Sequence, residues 1–465
     1  MAGPAAAGAD PRRTRGPAPG RPDPGKTGQR LSPTFRSLAN PNYRRYAAGA
    51  VISNTGTWMQ RVAQDWLVLH LAVDGGGTAV GITTGLQFLP ALLLSPLAGV
   101  IADRFPKRQL LQLTQVMMAV PAFVLGLLAA TGVAEVWHVY VLALVFGIGT
   151  AIDAPARQSF VSEIVTPDDL TNAVGLNSAS FNAARIVGPA LAGVFIGALG
   201  GGTEATGWVI MANAISYLAP ILALRGMDPR RLTPAPTQAR HSGMVREGVR
   251  YVAGRPDLVL VLIVVFVVGT FGLNFQMTSA LMATDVFGKG ATEYGLLGTY
   301  MAVGSLTGAL LAARRPVIRL RLVVGAAVLF GVAEIVAGLL PTYLTFAIWM
   351  PLLGLSALTM ITAANTLMQV STAPALRGRV MALYLMIFMG GTPVGAPVVG
   401  WVGETFGARW TLVGGGAITL VGVALAVLWY VARSGGLARV LTPTEAPGNL
   451  GPRVWDNQAV ARARK

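Results

Sequence analysis

Four side chains, Asn54, Trp58, Arg61 and Asp65, follow one another at steps of four, three and four. On a helix that spacing gathers them on one face. Arg61 and Asp65 can pair across one turn. The stretch around them is apolar, where an ionised side chain is expensive and marks a functional candidate. Three kinds of chemistry are open to the face: proton carriage, grip on a polar substrate, or an ion pair that locks helices together. Asp153 and Arg157 repeat the step of four closer to the end of their stretch, which favours a gate or a structural pair.

Other polar residues form stripes. Thr270, Asn274 and Thr278 fall in line, as do Thr359, Thr362, Thr366 and Gln369. Such stripes suit a wet cavity or hydrogen bonds between helices. Arg185 shares a face with Ser178, Asn182 and Pro189, beside a Gly188-Pro189 pair that opens a helix locally. Glu334 stands alone near the end of an apolar run and is expected to snorkel to the interface. Trp58, Trp66, Phe271 and Phe275 would suit an amphipathic ligand, although aromatics in such runs usually pack.

Enzyme chemistry has no footing. His70, His138 and His241 are far apart and there is no cysteine, so neither a metal-ligand set nor a nucleophile–base pair is visible. No catalytic residue and no metal site is expected. Gly20 to Thr27 does spell the phosphate-loop pattern G-x-x-x-x-G-K-[ST]. It lacks the flanking strand and helix, and two prolines remove N–H donors, so the match is read as chance.

The elements that must carry these residues are membrane helices. The 465 residues are 53% hydrophobic and 12% charged, with a mean hydropathy of +0.58, too apolar for a soluble surface. The 57 glycines and 29 prolines are easier to place in membrane helices than in soluble ones. The net charge of +16 sits in tails and loops, which points to orientation in a bilayer and away from nucleic acid.

Residues 1–42 are rich in Ala, Gly, Pro and Arg and are expected to be a disordered cytoplasmic tail. A first set of six spans runs at about 46–71, 79–102, 109–131, 137–163, 173–199 and 207–225, within a first half of 43–225. A polar cytoplasmic linker follows at 226–257, and its stretch from Val245 to Val252 suits an interfacial helix. The second half, 258–432, holds spans at about 258–283, 294–313, 322–341, 343–370, 380–403 and 410–432, before a polar tail at 433–465. Alternate connections collect the arginines and lysines, while the others hold only Lys289 and Arg409. That asymmetry puts both termini in the cytoplasm and the chain across the cell membrane.

The chain also repeats itself. Residues 147–173 lie on 354–380 at a constant offset of 207, which pairs Ser159 with Thr366, Pro167 with Pro374, Gly188 with Gly395 and Gly193 with Gly400. Pro189 and Pro397 fall in the same short segments, so Gly188, Pro189, Gly193, Gly395 and Pro397 are expected helix-packing positions. Between the second and third spans, Gly99, Asp103, Arg104, Lys107 and Arg108 form a short acidic and basic connection. A degenerate copy follows Gly308, with Ala312 at the place of Asp103 and Arg314 and Arg315 after it.

This connection is similar to the signature loop of the major facilitator superfamily, with Pro106 standing where the family usually has glycine. Gly188, Pro189 and Gly193 resemble part of the fifth-helix motif of its drug antiporters. The wording from Trp58 to Val68, and from Asn172 through Pro189, resembles the branch that holds enterobactin exporters and macrolide-efflux permeases. The resemblance implies an all-α membrane fold with twelve transmembrane helices in two pseudo-symmetric six-helix halves. It implies that the first, fourth, seventh and tenth helices line a central cavity, which are the helices with the polar faces. The candidate cavity residues are then Asn54, Trp58, Arg61, Asp65, Asp153, Arg157, Arg185, Asn274, Thr362, Thr366 and Gln369. The loop would act as a latch: Asp103 caps the helix starting near Arg379, and Arg104 and Arg108 reach Glu163, Asp168 or Asp169. The expected function is proton-coupled export of small amphipathic molecules, of drug, macrolide or siderophore class, by alternating access. Import of a small solute on the same fold is the alternative. The implied energy source is the proton gradient with no bound cofactor. The expected partners are a small-molecule substrate and the bilayer, with the protein as a monomer.

Overall fold

The computed structural model describes residues 33–72, 76–233, 244–313, 319–373 and 376–434, without the side chains of Pro33, Thr34, Ser95, Pro96, Asp103, Met244, Val245 and Ala313. Residues 1–32 and 435–465 of the expected tails, the phosphate-loop match at 20–27, Pro374, Arg314 and Arg315 lie outside the described residues. Residues 33–42, expected to be disordered, instead form a helical turn at Pro33–Ala39 and the start of the helix Pro41–Leu71, because Ser37 is buried with its hydroxyl donating to Asn172 at 2.6 Å.

Every regular element among the described residues is helical. The first six long helices are α1 (Pro41–Leu71), α2 (Gly76–Arg104), α3 (Lys107–Ala130), α4 (Val136–Ile164), α5 (Pro167–Ala198) and α6 (Thr203–Arg225). A short helix α7 (Met244–Ala253) occupies the linker. The second six are α8 (Pro256–Val286), α9 (Ala291–Ala313), α10 (Leu320–Leu339), α11 (Tyr343–Val370), α12 (Arg377–Phe406) and α13 (Ala408–Ser434). Eleven of these are long and apolar enough to cross a membrane. The twelfth, α1, has 31 residues and carries the polar face with Asn54, Arg61 and Asp65.

Local chemistry sets the helix starts. The Asn40 side chain accepts from the backbone N–H groups of Asn42 and Tyr43, and Pro41 takes the first helical position. This polar first turn begins α1 several residues before the hydropathy rise at 46. Pro167, followed by Asp168 and Asp169, starts α5 in the same way, ahead of 173.

Three long helices are interrupted. A turn at Tyr217 divides α6, and one at Gly391 divides α12 just before Pro393. The interruption in α8 is larger. Its regular helix runs Pro256–Val267, widens to a π-turn at Val268–Gly272, breaks at Leu273 and Asn274, and resumes at Phe275. Leu273 N–H donates to the Val268 carbonyl at 2.9 Å, one residue further back than α-helical pairing. The expected unbroken face of Thr270, Asn274 and Thr278 is therefore cut, because the register is lost between its first two members.

Successive helices alternate in direction. One face of the molecule carries residues 104–107, the described parts of the linker and both described ends; it is called the loop face below. The opposite face carries Ala72, Gly76, 199–203, 287–291 and Gly407, and is called the far face.

Glycines let helix backbones touch. A carbon added to Gly147 of α4 would meet the Gln87 carbonyl oxygen of α2 at 2.3 Å. A carbon added to its repeat partner Gly354 of α11 would meet the Met301 carbonyl oxygen of α9 at 2.0 Å. The sequence repeat is thus a repeat of packing: α2 on α4 in one half, α9 on α11 in the other.

Candidate functional site

The two halves meet along two seams of small residues. At one, Gly193 of α5 lies on Ala291 and Thr292 at the start of α9, and Pro189 lies on Gly295 and Gly298. At the other, Gly400 of α12 lies on Gly77 and Thr78 at the start of α2, while Pro397 lies on Gly81 and Gly85. Gly193 and Gly400 are repeat partners, so the seams are related by the internal symmetry. Hydrogen bonds reinforce both: Thr292 donates to the Gly193 carbonyl at 3.1 Å, Thr299 to the Ile186 carbonyl at 2.8 Å, and Thr78 to Glu404. These contacts crowd toward the far face and reach Leu92 against Gly390 on the loop side.

Asp65 sits in this junction. It is buried, and its Oδ2 accepts from the Tyr294 hydroxyl of α9 at 3.0 Å, a contact between halves. The neighbouring Trp66 stacks on the same ring, with centroids 6.2 Å apart, and its indole N–H donates to the Gly201 carbonyl at 2.8 Å. The pair available to Arg61 and Asp65 on spacing is not formed as an ion pair. Arg61 instead lies over the Trp58 and Phe88 rings, 5.0 and 5.6 Å from their centroids. Trp58 in turn meets Phe181 edge-on at 5.8 Å and covers Gly188 of α5. One nitrogen of Arg185, a turn from Gly188, is buried without a hydrogen-bond partner. Asn54 is half-buried on the same α1 face.

Asp153 is a packing centre. Its Oδ2 accepts from Arg157 at 2.8 Å, while its Oδ1 accepts from Thr114 at 2.7 Å and Gln115 at 2.8 Å, both on α3. A carboxylate with three donors ties two helices firmly, which is the structural member of the pair of roles expected for it.

The stripe on α11 makes few bonds between helices. Thr366 donates to the Thr362 carbonyl at 2.9 Å, and Gln369 to Asn365, both within the helix. Thr359 alone of the stripe reaches across, to the Gly308 carbonyl at 3.4 Å. On α8, Asn274 Nδ2 donates to the Thr270 carbonyl at 2.9 Å, stitching the break.

At the loop face, Gly99 and Asp103 belong to α2, and the Asp103 side chain lies outside the described residues. The basic partners differ from expectation. Lys107, not an arginine, takes Glu163, at 2.5 Å with both side chains nearly buried. Arg108 donates to the carbonyls of Leu224 at 2.7 Å and Arg225 at 2.9 Å, bracing the end of α6. Asp169 is held by Arg36 at 2.6 Å, and Arg104 is exposed. Lys107 opens α3 directly beside the end of α4, whereas Arg104, in the last turn of α2, is exposed. Arg379, expected near Asp103, pairs with Glu247 of α7. The amphipathic α7 exists as foreseen from Val245 to Val252 and lies on the start of α12, with Gly248 against Arg379.

Several residues escaped the sequence reading. Tyr294 has no sequence mark, since a tyrosine near a helix end is ordinarily an interface anchor. Asn213 donates to Gln60 inside the first half, and Tyr217 meets Thr57 at 3.1 Å. Glu334 does not snorkel. It is 0% exposed, and neither carboxyl oxygen has a hydrogen-bond partner. At the far face, His70, Gly77, Asp285, Glu404, Arg409 and Trp410 border a recess of about 650 Å³ shared by both halves, away from Arg61 and Asp65.

Comparison with known proteins agrees with this architecture. A family model described as "Transmembrane secretion effector" matches residues 32–439. The chain is 24% identical to the Staphyloferrin A transporter of Staphylococcus aureus over 358 residues, covering 76% of this chain and 87% of that one. It is 28% identical to the multidrug efflux pump Tap of Mycolicibacterium fortuitum over 374 residues, covering 78% and 89%. With macrolide efflux protein A of Streptococcus pyogenes it shares 23% over 387 residues, covering 82% and 94%. In three dimensions it resembles a bacterial homologue of the human lysosomal transporter Spinster, solved inward-facing and unoccupied, with a TM-score of 0.66 at 16% identity over 87% of this chain and 99% of that one. A polar-faced twelve-helix membrane protein with symmetric seams, matched over nearly its whole helical region, is a multi-pass transporter. The chain belongs to the transmembrane secretion effector family of the major facilitator superfamily.

Proposed function

We propose that this protein is a proton-coupled exporter of small amphipathic molecules, of drug, macrolide or siderophore class, working by alternating access. The observation that carries the reading is the hydrogen bond from Tyr294 to Asp65. A buried acid on the polar α1 face is tied across the seam to the opposite half. Its proton and the opening of the far face are then linked: parting the halves breaks the Tyr294 contact and leaves Asp65 to a new partner. Arg61, one turn away and free of an ion pair, is that partner.

The loop face is the cytoplasmic one, on the charge asymmetry of the connections. The contacts between the halves crowd toward the far face, which supports reading this state as closed on the external side. The names of the staphyloferrin, Tap and macrolide relatives favour outward movement of amphipathic cargo. Trp58, Phe88 and Phe181 offer such a molecule apolar faces, and Arg61 and Arg185 offer it polar anchors. The signature loop latches the cytoplasmic side in the other half of the cycle, when the start of α12 swings from Glu247 toward Asp103.

The test is accumulation of a radiolabelled macrolide and of a carboxylate siderophore in a deletion strain with and without the gene. Lower accumulation in expressing cells, reversed in everted vesicles, is the expected result. Higher accumulation in cells would mean import.

A further inference from the structure

Glu334 lies in α10, deep in the second half, and the seam chemistry does not use it. Its carboxyl is fully enclosed with both oxygens unpartnered. Two glycines make its space. A carbon on Gly272, at the break in α8, would lie 3.2 Å from Oε2, and one on Gly415 of α13 would lie 3.0 Å from Oε1. The Phe271 carbonyl oxygen comes within 2.9 Å of that same added carbon on Gly415, so this oxygen and Oε1 converge on one spot. Phe330, one turn earlier on α10, meets Phe275 edge-on at 5.6 Å just beyond the break.

We propose that Glu334 is a proton-binding site inside the second half, and that its occupancy sets the break in α8.

Among the described residues of the helices around Glu334, no other ionised side chain is placed to balance a charge on it. Arg255, just before α8, is bonded to Asp257 at the loop end, Asp285 stands at the far end of α8, and Arg321 lies in the first turn of α10. On α13 Arg409 donates to the carbonyls of Gly338 and Leu340, and Arg433 stands at the loop end. The titratable group of α11 is Tyr343, which donates to the Glu293 carbonyl. A carboxylate enclosed without a partner is strongly disfavoured, and the group holds a proton instead. A metal ion would demand further ligands, and no cluster of three His, Asp or Glu occurs among the described residues.

The site has a route to the seam. Thr270, two residues before Gly272, packs its carbonyl oxygen against Gly395 and its hydroxyl against Gly391 at the division of α12. The next turn of α12, Ala396 and Pro397, lies on Gly81 of α2 in the other half. Loss of the proton forces the carboxylate to seek donors, and the backbone around Gly272 is the element able to move. The inference does not depend on Asp65 being the coupling acid.

The chain has no cysteine, so labels can be placed freely. Spin labels at Phe266→Cys and Lys289→Cys bracket the break in the full-length protein in liposomes. Their separation is expected to change as pH is raised, and to stay at its acidic value in Glu334→Gln. In infrared spectra of Asp65→Asn, a carbonyl band of a neutral carboxylic acid is expected, and in that background it is lost on adding Glu334→Gln. Should Glu334→Gln not fold, Glu334→Asp must shift that band. The proposal is overturned if the band survives Glu334→Gln, if Glu334→Asp leaves it in place, if the label separation does not respond to pH in wild type, or if the separation in Glu334→Gln still follows pH. A separation set by sodium instead of pH would also overturn it. Loss of proton-driven transport in Asp65→Asn bears on the exporter reading alone.

Discussion

The Tyr294 hydroxyl is the smallest group on which the closed far side can be tested. Tyr294→Phe removes one hydrogen bond to Asp65 and little else, a cost of about 0.5–1.5 kcal/mol. That weakens far-side closure by a few-fold, read as faster alkylation of a single cysteine introduced at His70 on the far face. At the loop face the bases should separate sharply. Lys107→Ala removes a nearly buried ion pair with Glu163 and should destabilise by about 1–3 kcal/mol. Arg104→Ala, at an exposed position, should stay within about 0.5 kcal/mol. Thermal unfolding in detergent distinguishes them, and equal effects would remove the distinction drawn between the two bases. The polar face of α1 was legible in the sequence because a helical period and an apolar background make Arg61 and Asp65 conspicuous. Their partners were not. Tyr294 lies 229 positions from Asp65 and looks like an interface tyrosine until the halves are packed. Glu334 was misjudged for the same reason: hydropathy sees a lone acid near a helix end, and cannot see Gly272 and Gly415 folding over it.

Seams and breaks belong to whole helices. Gly193 and Gly400 touch the opposite half, whereas Gly304 touches Pro351 within its own. A valine at Gly400 should therefore act on the cycle, shifting the protein toward the state with its far side open while leaving each half intact. A valine at Gly304, where an added carbon would sit 1.9 Å from the Pro351 carbonyl oxygen, should lower stability in every state, by about 1–3 kcal/mol. Cysteine accessibility from the far face, set beside the unfolding temperature, separates the two. Helix count and order could be read from apolar run lengths, and the turn in α12 from Gly390, Gly391 and Pro393. The break in α8 could not, because Val268 to Asn274 contains no proline and its strongly apolar surroundings hide the change of register.

At the scale of the molecule, the sequence repeat and the packing repeat coincide. Gly147 and Gly354, then Gly193 and Gly400, hold equivalent places in the two halves. The connection between α2 and α3 departs from that symmetry: Asp103 has Ala312, buried, as its counterpart. Asp103→Ala should slow turnover far more than Ala312→Ser, and comparable losses would reduce the loop to an orientation signal. The central claim is that a proton on Asp65 is exchanged against cargo as the halves rock. Everted vesicles, supplied with a radiolabelled macrolide and a stepped pH gradient, test it most directly. The account predicts gradient-driven accumulation by the wild-type protein and loss of the pH response in Asp65→Asn, with cargo exchange at equilibrium retained. Undiminished gradient-driven accumulation by Asp65→Asn would contradict it.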